Sequence, residues 1–361
     1  MHTSSPPPRR FLLLLGALLA SLLLGACTNG MGAVASWPGV AGDETRVYVA
    51  FNEAIRAVDL AAGREVWRYP VEADRQVSFF AAPAVAPGGR VIAGGYDGVV
   101  YCLAADSGVL LWRFDGASDQ IIGSPAATDT VVLVPSADHN LYALALESGE
   151  LLWTHTAEHE LWSAPLIDGA RVYLAGLDHN LYALDLRSGA TLWRRDLGAA
   201  SADTPTLAGE TLLVGTFGGG LQALSAQTGE LLWTVQTTGW VWGSPVVDEA
   251  YAYFGDGTGG FYAVDRADGT VVYRMSFPGA LTASPVLLDG QVYFGTDASS
   301  VYSRIAESGA STWEQVMAGK VLSTPHAAGE TLVFATYGGD TLLTALDARS
   351  GAIRWTFTPA R

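Results

Sequence analysis

A glycine returns along this chain at positions 63, 108, 149, 189, 229, 269, 309 and 351, at intervals of 45, 41, 40, 40, 40, 40 and 42 residues. Two further series keep its phase. Six residues before each glycine stands a small side chain (Ala57, Cys102, Ala143, Ala183, Ala223, Ala263, Ser303, Ala345), and four after it an aromatic one (Trp67, Trp112, Trp153, Trp193, Trp233, Tyr273, Trp313, Trp355). A proline also recurs in step, usually after Ser, Thr or Ala: Pro38, Pro83, Pro125, Pro165, Pro205, Pro245, Pro285 and Pro325. Chance does not hold such series in register over eight cycles, so the chain is eight copies of one unit.

The sixth copy shows what the unit is. Ser244-Pro245-Val-Val, Ala250 to Phe254, Phe261 to Asp265 and Thr270 to Arg274 read as four short strands separated by Gly- and Asp-rich turns. A four-stranded sheet exposes two apolar faces, and copies at this period bury them by stacking around a ring. The expected fold is therefore all-β, an eight-bladed β-propeller with four antiparallel strands per blade, over residues 37–361. Repeat one begins near Pro38 and repeat eight ends near Trp355 in the same phase. Each terminus should then supply a whole blade, with closure resting on side-chain packing and no strand crossing over. The small residue leaves room for the indole, and Cys102 falls in that series as a buried substitute for Ala. With 49% hydrophobic and 16% charged residues the chain is not a disordered one.

Residues 1–26 read as an address. Arg9 and Arg10 precede the apolar run Phe11 to Ala26, a charged region and short apolar stretch of the kind that directs export. The run ends Leu24-Gly25-Ala26-Cys27, which resembles a bacterial lipobox and implies Cys27 as a lipidated mature N-terminus, with 27–36 a short linker. The expected location is a bacterial membrane surface: the periplasmic face of the outer membrane where there is one, otherwise the outer face of the plasma membrane. The net charge of −16, which becomes −18 once Arg9 and Arg10 are removed, argues against a nucleic-acid partner.

Tyr182-Ala-Leu-Asp185-Leu-Arg-Ser-Gly189-Ala-Thr-Leu-Trp193 and its seven relatives resemble the pyrroloquinoline-quinone-type propeller repeat with its tryptophan-docking motif, over about residues 34–358. Joined to a lipobox, such a propeller is similar to the BamB family of outer-membrane assembly lipoproteins. That resemblance implies a monomeric, non-catalytic, lipid-anchored scaffold with an envelope protein as partner. The family's partner-gripping loop bears an Arg, whereas the run Ala157 to Trp162 before Ser163-Ala164-Pro165 has none, which leaves the partner's identity open. A carbohydrate or small-ligand binder at the channel mouth is the second reading, and a quinone-dependent dehydrogenase the third. The dehydrogenases carry an adjacent cysteine pair; the cysteines here are Cys27 and Cys102, so no quinone cofactor is expected.

No catalytic or metal constellation stands out. Gly255-Asp-Gly257-Thr-Gly-Gly260 spells a dinucleotide fingerprint but leads into a strand instead of a helix, and so reads as a turn. His155, Glu158, His159 and Glu160 lie at a strand end and loop, without the helical spacing that would converge two histidines. In the duplicated Asp-His-Asn-Leu-Tyr-Ala-Leu, Asn140 and Asn180 suit the positive φ of a hairpin turn. Positions that differ between blades are the ones free to serve function. Four residues before the phased proline the side chains are mostly apolar and read as core. Three before it stand Phe80, Ile122, Trp162, Ala202, Trp242, Thr282 and Leu322, with Trp240 alongside. Phe80, Trp162, Trp240 and Trp242 are thus candidates for an interaction rim, or alternatively for a plug closing the channel.

The lipobox makes one direct prediction. Mass spectrometry of the mature protein should find acyl chains on Cys27, and Cys27→Ala should release the chain from the membrane fraction or leave it uncleaved. Several chains hold firmly where one binds marginally, so an unacylated wild-type Cys27 would remove the anchor.

Overall fold

A computed structural model describes residues 37–72, 77–202 and 204–360. Arg9, Arg10, the apolar run and Cys27 lie outside the described residues. Contacts divide the chain into Met1–Ala35 and Ser36–Arg361, and the second unit is an eight-bladed propeller of eight four-stranded sheets. Each sheet takes four strands consecutive in sequence, paired antiparallel in the order in which the chain makes them. In the first blade these are Gly39–Gly42, Arg46–Phe51, Ala54–Asp59 and Glu65–Tyr69. In the last they are His326–Ala328, Thr331–Ala335, Leu343–Asp347 and Ile353–Phe357. Both terminal blades are whole, as the phase of the repeats requires.

The middle two strands of each blade are almost wholly buried and the fourth is the exposed edge. Val47, Tyr48, Val49 and Ala50 have no exposed surface, whereas Leu151 and Leu152 on a fourth strand are 45% and 50% exposed. Eight hydrophobic clusters are each shared between two neighbouring blades, and together they close the circle. The seam between last and first blades is one of them: Val333, Ala335, Leu343 and Phe357 pack on Val40, Val47, Val49 and Val58.

The repeated small–aromatic–glycine pattern has a single structural cause. Each small residue pairs directly across the sheet with its aromatic, Ala57 with Trp67 and Cys102 with Trp112 through to Ala345 with Trp355, and a bulge follows at once. The bulge turns the fourth strand so that the ring lies over the next blade. There the indole N–H donates to a backbone carbonyl: Trp67 to Ala105 at 2.9 Å, Trp112 to Leu146 at 2.8 Å, Trp153 to Leu186 at 3.0 Å and Trp193 to Ala226 at 3.2 Å. Trp233 donates to Arg266 at 3.1 Å, Trp313 to Ala348 at 2.8 Å and Trp355, across the seam, to Leu60 at 2.8 Å. Tyr273 makes the same link with its hydroxyl, to Ala306 at 2.7 Å.

The glycine completes this joint for two reasons. It holds a φ near +70°, and its missing side chain is where the previous blade's ring rests. A Cβ on Gly108 would lie 2.6 Å from the Trp67 ring, and one on Gly63 2.6 Å from Trp355. Another left-handed position departs from the expectation stated above. In the duplicated Asp-His-Asn segments the positive φ belongs to His139 (74°) and His179 (69°), not to Asn140 and Asn180. The asparagines begin the next strands, where their amides donate to the carbonyls of Asp138 and Asp178. Gly98, Gly219 and Gly259 hold the same phased position as the histidines.

At the seam, His326 Nε2 lies 3.2 Å from the Asp43 carbonyl. Burial holds its imidazole below the usual histidine range, against an opposing pull from Asp43. Two predictions follow from the joints. Gly89→Ala, at φ 67° with open space around it, should cost about 1 kcal/mol of left-handed strain, whereas Gly108→Ala should lose at least twice as much in chemical denaturation because the Trp67 ring must also move. A depressed His326 pKa means that the folded state resists a proton the unfolded chain accepts, so stability is complete above about pH 6.5 and declines as the pH falls below it. His326→Gln should flatten part of that decline in denaturant midpoints measured from pH 7.5 to 5, and His155, held low by burial in the same way, should account for another part.

Candidate functional site

The extended run into each blade's first strand alternates between core and axis. Four residues before the phased proline, Phe79, Ile121, Leu161, Ser201, Val241, Leu281 and Val321 are all at most 1% exposed. Three residues before it, Phe80, Ile122, Trp162, Ala202, Trp242, Thr282 and Leu322 all face one cavity of about 400 Å³. The residue directly before the proline faces it as well. In seven blades that residue is Ala82, Ser124, Ala164, Thr204, Ser244, Ser284 or Thr324, and in the first it is Trp37. Every blade therefore contributes to one axial cavity.

Of the four residues singled out from sequence, Phe80, Trp162 and Trp242 share the lining of this cavity, while Trp240 stacks beside it. Trp37 bridges Phe80 and Trp242, with its ring centroid 5.1 Å from the first and 5.5 Å from the second. Tyr96 extends the belt beyond Phe80 at 5.7 Å, and Phe217 extends it beyond Trp242 at 5.1 Å. Trp240 lies 5.8 Å from Trp242 and covers Gly257, where a Cβ would come within 2.3 Å of the indole. These rings are half-buried, and the belt leaves the cavity open between them.

Trp37, Tyr96 and Phe217 were not among the candidates, although the sequence marks each of them. Trp37 is the one bulky residue in a series that is otherwise Ser, Thr or Ala. Tyr96 and Phe217 are in phase with Ala137, Leu177, Gly257 and Asp297, a position that changes from blade to blade.

Among the described residues the lining contains no Asp, Glu, Lys, Arg or His. Among the described lining residues a polycarboxylate quinone finds no cation to balance its charge, and an accompanying metal ion no carboxylate. The polar groups of the described lining are hydroxyls, backbone amides and an indole N–H. Trp162 Nε1, Thr282 Oγ1 and Ser323 Oγ are buried with no hydrogen-bond partner among the described residues.

Other sequence features resolve into structure. Gly255 to Gly260 is the turn between the strands Tyr251–Gly255 and Gly260–Asp265. Burial alone would raise the Asp256 pKa, but the Gly260 and Thr258 amides and the Thr258 and Tyr262 hydroxyls outweigh it and hold the carboxyl down to about 2. His155 lies in the strand Leu151–Thr156, Glu158 pairs with Arg194 at 2.7 Å and His159 lies 3.9 Å from Glu160. Among the described residues no three His, Cys, Asp or Glu side chains converge as metal ligands would. Cys102 is fully buried, and burial pushes its thiol up to about 12, far from a reactive thiolate.

A family model described as outer membrane protein assembly factor BamB matches residues 28–108, 51–177, 96–239, 177–276 and 259–360. The chain belongs to the BamB family. BamB of Shewanella oneidensis is 28% identical over 107 residues, 27% of this chain and 27% of that protein, so the match spans about a quarter of the relative's length. Among solved structures, BamB from Moraxella catarrhalis superposes with a TM-score of 0.70 at 18% identity, covering 85% of this chain and 92% of that one. The computationally designed Ika8 protein reaches 0.74 at 16% identity, covering 87% and 97%. A europium-containing methanol dehydrogenase reaches 0.63 at 14%, covering 86% and 81%. At such identities these structures share the fold; membership of the BamB family rests on the sequence match.

Proposed function

We propose that this protein is a non-catalytic, lipid-anchored scaffold of the bacterial cell envelope that holds a protein partner during outer-membrane protein assembly. The observation that carries this reading is the family match, which runs from residue 28 to residue 360 and so takes in every blade. The site supports it in two ways. Phe80, Trp240 and Trp242 in the belt, and Trp162 across the same lining, are half-buried aromatics, the residue type that dominates binding energy in protein interfaces. Among the described residues the cavity these aromatics line offers no acid, base or thiol for chemistry. Nine linker residues, Thr28 to Ser36, reach at most about 30 Å, so an acylated Cys27 would keep the propeller close to the membrane surface.

Crosslinking followed by pulldown from native membranes should recover an envelope protein with the wild-type chain. Trp240→Ala with Trp242→Ala should abolish that capture while shifting the melting temperature by no more than a few degrees. Capture that survives the double substitution would move the interface to the outer blade edges. A large drop in melting temperature would mark the belt as a plug instead, since deleting packed indoles costs about 3–5 kcal/mol each. The acidic surface should also make association slower as salt rises.

A further inference from the structure

We propose that His139 and His159 together bind one divalent transition-metal ion, at a site outside the axial cavity and independent of the scaffold role. His139 sits in the turn between the strands Val131–Pro135 and Asn140–Ala145, and His159 in the connection that leads to the next blade. Their ring centres lie 6.1 Å apart, with the planes tilted by 49°. The backbone fixes this approach. The Ala157 N–H donates to the His139 carbonyl at 2.8 Å and the Leu161 N–H to the Ser136 carbonyl at 3.2 Å, so the segment carrying His159 is pinned on both sides to the turn carrying His139. Other blades fill the same junction differently. Gly98, Gly219 and Gly259 hold the phased position of His139, and a Cβ on them would lie 3.0 Å from the carbonyl oxygen of Asp119, 3.6 Å from that of Gly239 and 2.8 Å from that of Gly279, the phased equivalents of His159. His179, in the duplicated segment, has Ala199 at the equivalent position. The left-handed turn is met without strain by glycine, so the repeat has no need of an imidazole on either side of it, and this junction carries one on both.

The geometry suits a shared ion. Bonds of about 2.0–2.1 Å from one metal to a nitrogen of each ring place the ring centres about 5–6.5 Å apart, and the observed separation falls in that interval. Both rings reach solvent, since His139 is half-buried and the His159 side chain is 63% exposed, so an ion can enter and water can complete its coordination. Glu160 Oε2 lies 3.9 Å from His159 Nδ1. A carboxylate on that side orients the imidazole and leaves Nε2 for the metal. The donors also select the ion. Imidazole nitrogen suits Cu2+, Ni2+ and Zn2+, with Cu2+ bound most tightly, whereas Mg2+ and Ca2+ require oxygen ligands. Two imidazoles without a third protein ligand make an open, exchangeable site, consistent with the absence of any three converging ligands among the described residues. The bound ion would tie the turn to the connection that runs on to Trp162.

The test titrates the full mature chain in detergent buffer with Cu2+, Ni2+ and Zn2+, with Mg2+ and Ca2+ as controls, and follows calorimetric heat and the electron paramagnetic resonance of bound Cu2+. Cu2+ should bind saturably, more tightly than Ni2+ or Zn2+, with a spectrum that shows imidazole nitrogen ligands. His139→Gly and His159→Ala should each weaken that binding by about tenfold or more, and Glu160→Gln by about tenfold. His179→Ala should leave it unchanged. His139→Gly installs the residue that three other blades carry at this turn, so its melting temperature without metal should equal or exceed the wild-type value and a loss of binding cannot be ascribed to misfolding. The proposal is overturned if none of the three transition metals binds saturably, if Mg2+ or Ca2+ binds as tightly, if the Cu2+ spectrum lacks imidazole nitrogen, or if binding is as tight in His139→Gly or His159→Ala as in the wild type. The titration needs no partner protein and the pulldown needs no added metal, so the two readings fail separately.

Discussion

The ring is held by one interaction made eight times: an aromatic side chain on the outer strand of one blade reaches over the next, donates a hydrogen bond to a backbone carbonyl and rests on a glycine. Two requirements meet in that glycine. A left-handed turn needs a residue without Cβ strain, and a flat indole needs a surface without a side chain. The joint is also tolerant in one respect, since Tyr273 serves with its hydroxyl where the other blades use an indole. The demand is for a flat apolar ring with a donor at its far edge, and tryptophan and tyrosine both satisfy it. Hydrophobic clusters shared between blades supply the bulk of the contact area, and the aromatic joint sets the angle at which they meet.

With the walls of the ring fixed by repetition, individuality collects at the axis. In the run into each blade one residue turns into the interblade core and the next into the cavity. The core-facing position is apolar in six of the seven blades where it is described, and Ser201 stands in the other. The cavity-facing position next to it ranges from Ala202 to Trp242. A propeller of this kind can vary the lining of its channel without disturbing what its blades pack against.

The fold was legible because a repeat multiplies a weak signal eightfold. Single strands here are as short as the two residues Val246–Val247, and one alone would have no meaning, but the phase of glycine, alanine and tryptophan fixed blade number, strand count and the whole-blade termini. The site was legible only where it departed from that phase within a series already being compared. Phe80, Trp162 and Trp242 stood out on that ground. Trp37 did not, because it occupies the position directly before the proline, where uniformity in seven blades drew attention to the rule and away from the exception. The left-handed residue in the Asp-His-Asn turns was misplaced by one for a related reason. Asparagine's general tolerance of positive φ pointed to Asn140 and Asn180, whereas the phased glycines at 98, 219 and 259 already marked the histidine position.

Whole blades at both ends make the joint between Trp355 and Leu60 the same in chemistry as the other seven, yet it differs from them in chain entropy. The other rings reach a blade 33 to 38 residues away, whereas this one spans 295. Each doubling of a closed loop costs about 0.6 kcal/mol, so three doublings place this contact about 2 kcal/mol behind its equivalents before any blade has docked. The ring therefore closes last at the seam. Until it does, an arc of docked blades presents two matching apolar flanks, Val47 and Val49 on one and Val333 and Phe357 on the other. Those flanks fit each other within one chain and equally between two. During folding, the completed circle competes with a chain of open arcs joined end to end, and concentration decides between them.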